Sequence, residues 1–214
     1  MNSNTVPPRL SEPEWKAMTE VIVGLMMEKG LKSTTMDEVA SRLQMSKRTL
    51  YEIFGSKSEM LRRVLAEIAE KHQEFIHTTF ESSANALDAM LKIFMEHRDM
   101  MKRVNVNFFR DMDRFYKDER KCYDEQGRSR HDEMMKVFEL GVSQGVFRAD
   151  VDYHVQARIM GLQMESLKRM EELFPPDIEL IRVYDAIILG FLRSIASPKG
   201  MKILDDIAPK LSGK

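Results

Sequence analysis

Apolar side chains recur at helical spacing from the start of the chain. The first such series is Trp15, Met18, Val21 or Ile22, Leu25 and Met26, close to the i, i+3, i+4, i+7 pattern of one helix face. Pro13 suits the first turn of this helix, and Gly30 after Lys29 is typical of its C-terminal end. The pattern therefore predicts a first helix that begins near residues 13–15 and ends at Gly30.

Three further helix starts follow within a short stretch. Thr35 with Glu38 forms a capping-box pattern, Ser46 precedes a second helix, and Ser56 with Glu59 repeats the capping-box pattern. Between the first two helices, Gln44 and Met45 form a tight turn. The helix after Ser56 keeps apolar positions at helical spacing as far as Ile76. These signals predict two short helices joined by a turn, followed by a long fourth helix.

The remainder of the chain also has helical periodicity. Predicted helices cover 84–101, 104–116, 119–144, 153–172 and 176–196, with a short final helix after Pro198. No stretch alternates Val, Ile and Thr as a strand would. We therefore expect an all-α protein with a flexible tail at 1–12, a helix-turn-helix domain at 13–60, and a larger helical domain at 61–214.

Composition narrows the class of protein. The 214 residues are 43% hydrophobic and 31% charged, with a formal net charge of −1, which is typical of a globular chain. A single cysteine, Cys122, excludes an internal disulfide framework and fits a reducing compartment. The N-terminus has no signal-peptide core, and the longest apolar run, residues 187–192, is too short to span a bilayer. The expected location is the cytoplasm, without a membrane partner.

The helix after Ser46 has the chemistry of a DNA reader. The second helix of a helix-turn-helix places its first turn in the major groove, and here that turn offers Lys47, Arg48 and Thr49. Tyr51 lies one turn on and can reach a phosphate. Thr35 and Lys57 stand at the starts of flanking helices, which favour phosphate. From residue 42 to 63, six cations stand against two carboxylates, a local excess of +4 that ordinary surface variation could also produce.

At these residues the chain resembles the TetR family of bacterial transcriptional regulators. The pattern S-K-x-T-L-Y-x-x-F-x-S-K is matched at Ser46, Lys47, Thr49, Leu50, Tyr51, Phe54, Ser56 and Lys57. The resemblance covers about residues 13–65, and Arg48 departs from the small residue that many members have there. It implies an all-helical homodimer that binds a palindromic double-stranded DNA operator, in most cases as a repressor. It also implies that a ligand in the C-terminal domain releases the DNA.

The middle of the chain is rich in Met and Phe. Ordinary core packing accounts for most of these residues, but flexible, polarisable methionines also suit a pocket for a varied apolar ligand. The resemblance raises the expectation of such a pocket without choosing its residues. The predicted pocket residues are Phe94, Phe108, Met112, Met134 and Met164. The expected effector is small and largely apolar.

The helices at 153–172 and 176–196 are the predicted dimer surface. Two such helices from each subunit would form a four-helix bundle. The second helix supplies the predicted interface residues Ile181, Tyr184, Ile188, Phe191, Leu192 and Ile195. The alternative interpretation is that these helices only close the core of their own subunit.

Signs of catalysis and of cofactor binding are missing from the sequence. The five histidines are scattered, and the acidic run Asp111, Asp113, Asp118, Glu119, Asp124 and Glu125 lacks a calcium-loop pattern, so it is interpreted as a solvated face. No phosphate-binding loop is present. We therefore expect no enzymatic activity, cofactor or metal.

Two other functions stay open at this stage. One is a DNA-binding protein of the same fold that a protein partner controls instead of a small ligand. The other is a helical enzyme or scaffold that has lost DNA binding, which Lys47, Thr49, Tyr51 and Lys57 argue against.

Overall fold

A computed structural model describes residues 10–105, 107–116, 118 and 127–211. Within these residues the secondary structure is helical, with one isolated bridge between Phe147 and Ala196 and no strand. The prediction of an all-α fold is confirmed. The α-helices are α1 (Glu12–Lys29), α2 (Met36–Arg42), α3 (Lys47–Phe54), α4 (Lys57–Ser82), α5 (Ala86–Arg103), α6 (Asn107–Phe115), α7 (Gly127–Ser143), α8 (Tyr153–Ser166), α9 (Met170–Leu173), α10 (Leu180–Ile195) and α11 (Pro198–Leu211).

The chain folds as two compact units. The first unit combines Met1–Glu74 with Arg103–Gly127, and the second combines Phe75–Lys102 with Arg128–Lys214. Helix α6, far along the chain from α1–α3, therefore belongs to the same unit as they do.

The first unit has a single apolar core. Trp15, Ile22, Leu50 and Met60 lie at its centre with almost no exposed surface, and Met112 of α6 packs into the same cluster. The Trp15 indole N–H donates a 2.8 Å hydrogen bond to Glu67 Oε2, which satisfies a buried polar group and joins α1 to α4.

Helix α1 begins slightly before the predicted start near residues 13–15, and Leu10 ahead of it is also packed. Leu10 packs against the core of the first unit, and Ser11 with Glu14 forms a capping box, so that α1 begins at Glu12. Residues 10–12, which were predicted to belong to the tail, thus have packing and capping contacts. The rest of the predicted tail, 1–9, lies outside the described residues.

The predicted caps of the helix-turn-helix are present. Thr35 and Glu38 form a reciprocal capping box at α2, and Ser46 Oγ accepts the backbone N–H of Thr49 at α3. Ser56 Oγ accepts the N–H of Glu59 at 3.1 Å. The turn between α2 and α3 depends on Gln44, whose φ of 55° lies in the left-handed region that non-glycine residues seldom occupy.

The second unit differs from the sequence-based helices in its last third. The predicted helix 153–172 ends at Ser166, and a 3-10 turn at Leu167–Arg169 leads into the short α9. The predicted helix 176–196 begins only at Leu180. The helix after Pro198 is not short, since it runs from Pro198 to Leu211.

Helix α10 forms the centre of the second unit. Its buried side chains include Tyr184, Ile188, Phe191, Leu192 and Ile195. Asp185 pairs with Arg98 of α5 through two hydrogen bonds of 2.6 and 2.8 Å, and the Tyr184 hydroxyl donates to the Phe94 carbonyl at 3.1 Å. Burial raises the pKa of Tyr184, which keeps its hydroxyl protonated as this donor. In the described part of the chain, no helix has the length and apolar character needed to cross a membrane.

Candidate nucleic-acid interface

Helix α3 separates its core side from its polar side sharply. Leu50 and Phe54 are buried at 0% and 3% exposure, whereas Lys47, Arg48 and Tyr51 face solvent. The Arg48 side chain is 89% exposed. The helix therefore presents two cations and a phenol on a face that the rest of its unit does not cover.

The start of α3 is held by a small hydroxyl pair. Ser46 Oγ accepts the Thr49 N–H at 3.0 Å and lies 2.7 Å from Thr49 Oγ1. This local pair caps the helix and satisfies the backbone N–H of Thr49. Its methyl group and its remaining hydroxyl capacity stay exposed.

The two cations of α3 form ion pairs that are open to solvent. Lys47 Nζ lies 2.6 Å from Asp37 Oδ1, and this hydrogen bond raises the pKa of Lys47. Arg48 Nε donates to Glu52 Oε1 at 2.9 Å. Exposed pairs of this kind contribute little net free energy, so either cation can exchange its carboxylate for a phosphate at small cost.

Thr35 is occupied as a helix cap. Its Oγ1 accepts the Glu38 N–H at 3.2 Å, and the Glu38 carboxylate accepts from the Thr35 N–H in return. Lys29 Nζ donates to Glu38 at 2.6 Å, and this bond, with the backbone hydrogen bond from Thr35, lowers the pKa of Glu38 to about 2. The structure thus places Thr35 at the exposed N-terminus of α2 in a reciprocal capping box.

Lys57, which was predicted to contact DNA, donates hydrogen bonds to backbone carbonyls within the first unit. Its Nζ donates to the carbonyls of Leu31 and Lys32 at 2.6 and 3.2 Å, and lies 5.6 Å from the centre of the Tyr116 ring. The side chain is half-buried and bound within the first unit. Of the six predicted DNA-contacting residues, Lys57 is the one that the structure ties to backbone carbonyls.

The prediction that Asp111 lies on a solvated face is wrong. Instead of lying on a solvated face, it is 6% exposed, and its Oδ2 accepts the backbone N–H of Lys32 at 2.8 Å. The sequence signal was present: Phe108, Asp111 and Met112 have the i, i+3, i+4 spacing of one helix face, and both apolar members pack on the core. Glu119, Asp124 and Glu125 lie outside the described residues.

The five predicted pocket residues are divided between the two units. Phe108 and Met112 pack on the core of the first unit, as the alternative interpretation of simple core packing expected. Phe94, Met134 and Met164 are half-buried residues of the second unit. That these five side chains contact one effector stays a prediction.

A different cleft opens in the second unit. It has a volume of about 490 Å³ and lies where the end of α7 meets the start of α8. Met135, Phe138, Val142 and Val151 supply apolar walls, and Tyr153 stacks on Phe138 with ring centres 4.7 Å apart. None of the predicted pocket residues lines this cleft.

The predicted dimer residues are occupied by packing within the chain. Tyr184, Ile188, Phe191, Leu192 and Ile195 are 0–4% exposed, and only Ile181 is half-buried. Three of the exposed large apolar side chains lie on α8, within the other helix predicted for the dimer surface: Val155, Ile159 and Leu162 are 50%, 43% and 60% exposed. This correction has a simple origin, since helical periodicity locates an apolar face but does not say which neighbour covers it.

In the described ranges, no group of three or more His, Cys, Asp or Glu residues is arranged to hold a metal ion. Cys122 lies outside those ranges.

Comparison with known proteins agrees with the reader geometry. The profile of the family described as "Bacterial regulatory proteins, tetR family" matches residues 19–64, which include α2, the turn and α3. The HTH-type transcriptional repressor KstR2 of Rhodococcus jostii (strain RHA1) is 26% identical over 148 residues, which cover 67% of this chain and 72% of that protein. Over residues 19–64, this chain therefore matches the TetR family. The resemblance noted from Ser46 to Lys57 is confirmed, and the family is one of transcriptional regulators.

Solved structures of transcriptional regulators share the fold of this chain. The ketosteroid transcriptional regulator KstR2 of Mycobacterium tuberculosis superposes with a TM-score of 0.55 at 17% identity, over 90% of this chain and 99% of that one. The transcriptional regulator FadR of Bacillus subtilis, solved in complex with stearoyl-CoA, has a TM-score of 0.61 at 12% identity, over 83% of this chain and 97% of that one. At these identities the likeness extends to the fold alone.

Proposed function

We propose that this protein is a ligand-responsive repressor of the TetR type, which binds a palindromic operator as a homodimer and is released by a small, largely apolar effector. The observation that carries the proposal is α3, a capped helix with Lys47, Arg48 and Tyr51 exposed on one face. It lies within the residues that match the family profile. In this proposal the DNA-binding domain is 13–60, and effector binding and dimerisation belong to 61–214.

The exposed face of α3 suits the major groove. Arg48 can donate two hydrogen bonds to O6 and N7 of a guanine, and its weak pair with Glu52 leaves the guanidinium available. Lys47 and the Tyr51 phenol are placed for phosphate oxygens, while the Thr49 methyl can contact a thymine methyl. Thr35, at the exposed start of α2, offers a further phosphate contact, since helix N-termini favour anions.

Dimerisation places two readers on one operator. A homodimer matches the two-fold symmetry of a palindrome, and each reader then takes one half-site. The exposed stripe Val155, Ile159 and Leu162 on α8 is the apolar surface we assign to the second copy. The spacing of these residues puts them on one side of the helix.

The names of two proteins of similar fold favour an effector with a large apolar part. The KstR2 structure is described as that of a ketosteroid regulator, and FadR was solved with stearoyl-CoA. In this chain the second unit offers the cleft beside Phe138 and Tyr153, and it also holds the predicted pocket residues Phe94, Met134 and Met164.

The proposal is tested by DNA binding. Fluorescence anisotropy would measure binding to tiled duplexes from the region that flanks the protein's own gene, over a salt series. Nanomolar binding to one palindromic duplex with a steep salt dependence is expected, and the Thr49→Ala, Tyr51→Ala double variant should lose it. Equal, weak binding to every duplex by both proteins would contradict the regulator function. Effectors are then sought among sterols and acyl-CoA esters by their ability to release the bound duplex.

A further inference from the structure

The connection between α1 and α2, residues 30–35, is held at Lys32 by side chains from two other helices. The backbone N–H of Lys32 donates to Asp111 Oδ2 at 2.8 Å, and the carbonyl of Lys32 accepts from Lys57 Nζ at 3.2 Å. Lys57 Nζ also binds the carbonyl of Leu31 at 2.6 Å, while the Leu31 side chain is fully buried. Both polar groups of the Lys32 peptide backbone are therefore satisfied by charged side chains from other helices.

Helix α6 supplies Asp111, which accepts the hydrogen bond from the Lys32 N–H. Asp111 is 6% exposed, and hydrogen bonds to a buried charged group are stronger than neutral ones. Next to it, the Asn105 N–H donates to the Met27 carbonyl at 2.8 Å, and Asn105 Nδ2 donates to the Glu28 carbonyl at 3.3 Å. These two bonds satisfy carbonyls in the last turn of α1, which have no partner within the helix.

Helix α4 supplies its first residue, Lys57, which donates a hydrogen bond to the Lys32 carbonyl. Its ammonium has two backbone carbonyls and the Tyr116 ring around it, the ring centre being 5.6 Å away. A second cation, Lys32, lies 4.7 Å from the centre of the Phe115 ring at the end of α6. Two cation–aromatic contacts thus join the end of α6 to the α1–α2 connection and to the start of α4.

The connection itself needs this support. Gly30 has φ 86° and ψ 159°, a conformation almost restricted to glycine, so the backbone enters the connection in an unusual direction. A Cβ placed on Gly30 would stand 3.3 Å from Asp111 Oδ2, which shows how closely the carboxylate approaches. The connection ends at Thr35, the cap of α2, and α2 packs directly on α3. A displacement of Lys32 would therefore move the reader helices.

We propose that Asp111 and Lys57 are positioning residues for DNA reading, which act through the α1–α2 connection, and that α6 is a structural part of the reader. Lys57 in this proposal orients α2 and α3 by holding carbonyls and is not a phosphate ligand. The proposal rests on the DNA-binding function proposed above, and it assigns a role to a segment, 107–115, that lies outside the family profile match.

Three substitutions test the contacts of Asp111 and Lys57 with the Lys32 backbone. Asp111→Ala removes the acceptor, Asp111→Asn keeps an acceptor oxygen for the Lys32 N–H, and Lys57→Met removes the ammonium while keeping the length of the side chain. The matched controls come from the second unit: Asp88→Ala, whose carboxylate accepts the Ala84 N–H at 3.0 Å, and Lys92→Met, whose ammonium pairs with Asp88 at 2.9 Å.

The first measurement is hydrogen exchange of the full-length protein without DNA. Asp111→Ala should accelerate exchange of the Lys32 amide and its neighbours up to Thr35 by about tenfold or more, because the amide loses a charge-assisted bond. Exchange in α1 and in the second unit should stay unchanged, and Asp111→Asn should restore most of the protection. Uniform acceleration throughout the first unit would show a merely structural role and would overturn the proposal.

The second measurement is operator affinity over a salt series, at a temperature where all variants remain folded. Asp111→Ala and Lys57→Met should each weaken binding about tenfold, with the slope of log K against log salt unchanged. Loss of a phosphate contact would instead reduce the magnitude of that slope by roughly 0.9. Such a reduction in Lys57→Met, with normal exchange at Lys32, would identify Lys57 as a phosphate ligand and overturn the proposal.

The two measurements separate this proposal from the proposed function. A wild-type protein that binds no duplex overturns the DNA-binding function together with the positioning role. Wild-type binding with unchanged affinity in Asp111→Ala and Lys57→Met overturns only the positioning role.

Discussion

At the scale of single residues, α3 combines a rigid helix start with weakly held cations. The Ser46–Thr49 pair fixes the first turn, while Lys47 and Arg48 keep solvent-exposed carboxylate partners. A site of this kind needs little reorganisation when it binds an anion, because the exposed ion pairs contribute little net free energy.

Arg48 departs from the usual family residue and gives the first residue-scale prediction. Arg48→Ala should weaken specific operator binding by about 1–3 kcal/mol, since a bidentate contact to guanine would be lost. The measurement is anisotropy with the specific duplex and with duplexes substituted at single positions. Lys92→Ala in the second unit is the control. Equal weakening on every duplex would instead assign Arg48 to a phosphate.

Glu38 gives a pH prediction. Its pKa in the folded protein is lowered to about 2 from an ordinary value of 4.5, chiefly by the hydrogen bond from Lys29. The folded state therefore binds this proton more weakly than the unfolded chain. The stabilising contribution is complete above about pH 4.5 and is lost as the pH falls toward 2.

Thermal unfolding at several pH values checks this sign. At pH 7, Glu38→Gln should have a lower Tm than wild type, and the difference should shrink between pH 4.5 and pH 2. Glu139→Gln, in the second unit, is the control. A Tm difference that stays constant through this window would show that the effect of Glu38 does not depend on its charge.

At the scale of elements, two glycines associated with α1 should respond oppositely to alanine. Gly30 has a positive φ and closely approaches Asp111, whereas Gly24 lies in mid-helix with nothing within 4 Å of an added Cβ. Gly30→Ala should lower the free energy of unfolding by about 1–3 kcal/mol through backbone strain. Gly24→Ala should raise it by about 0.5–1 kcal/mol, because alanine loses less entropy in a helix.

Urea unfolding followed by circular dichroism measures both changes. The opposite signs make each variant the control for the other, since the two side chains are identical. If Gly30→Ala proved neutral, the connection would be able to adopt another conformation. The hydrogen bonds of Asp111 and Lys57 to Lys32 would then not depend on the left-handed backbone of Gly30.

At the scale of the whole molecule, the assembly prediction concerns α8. Three exposed apolar side chains on one side of a helix form a surface that a second copy can cover. Ile159→Glu should convert the proposed dimer to a monomer in sedimentation velocity with unchanged helix content, because the charge would be buried without a partner. Met95→Glu, at an exposed position of α5, should leave the dimer intact. Dimers in both variants would exclude the α8 stripe as the interface.

The sequence by itself determined the local structure and the family resemblance. The caps at Thr35, Ser46 and Ser56, the turn at Gln44 and the apolar face of α3 all depend on residues within a few positions of one another, so their effects can be read along the chain. The same closeness makes the motif from Ser46 to Lys57 recognisable. Even Asp111 left a local signal, since it shares a helix face with Phe108 and Met112.

Tertiary structure decided which neighbour each face meets. Asp111 reaches Lys32 across 79 positions of the chain, and Lys57 reaches Leu31 across 26, distances at which no periodic pattern specifies a partner. For the same reason the apolar face of α10 was assigned to a dimer although it fills the core of its own unit, and the exposed stripe on α8 was not singled out. Hydrophobic periodicity shows that a face is covered, but only the packing of distant elements shows what covers it.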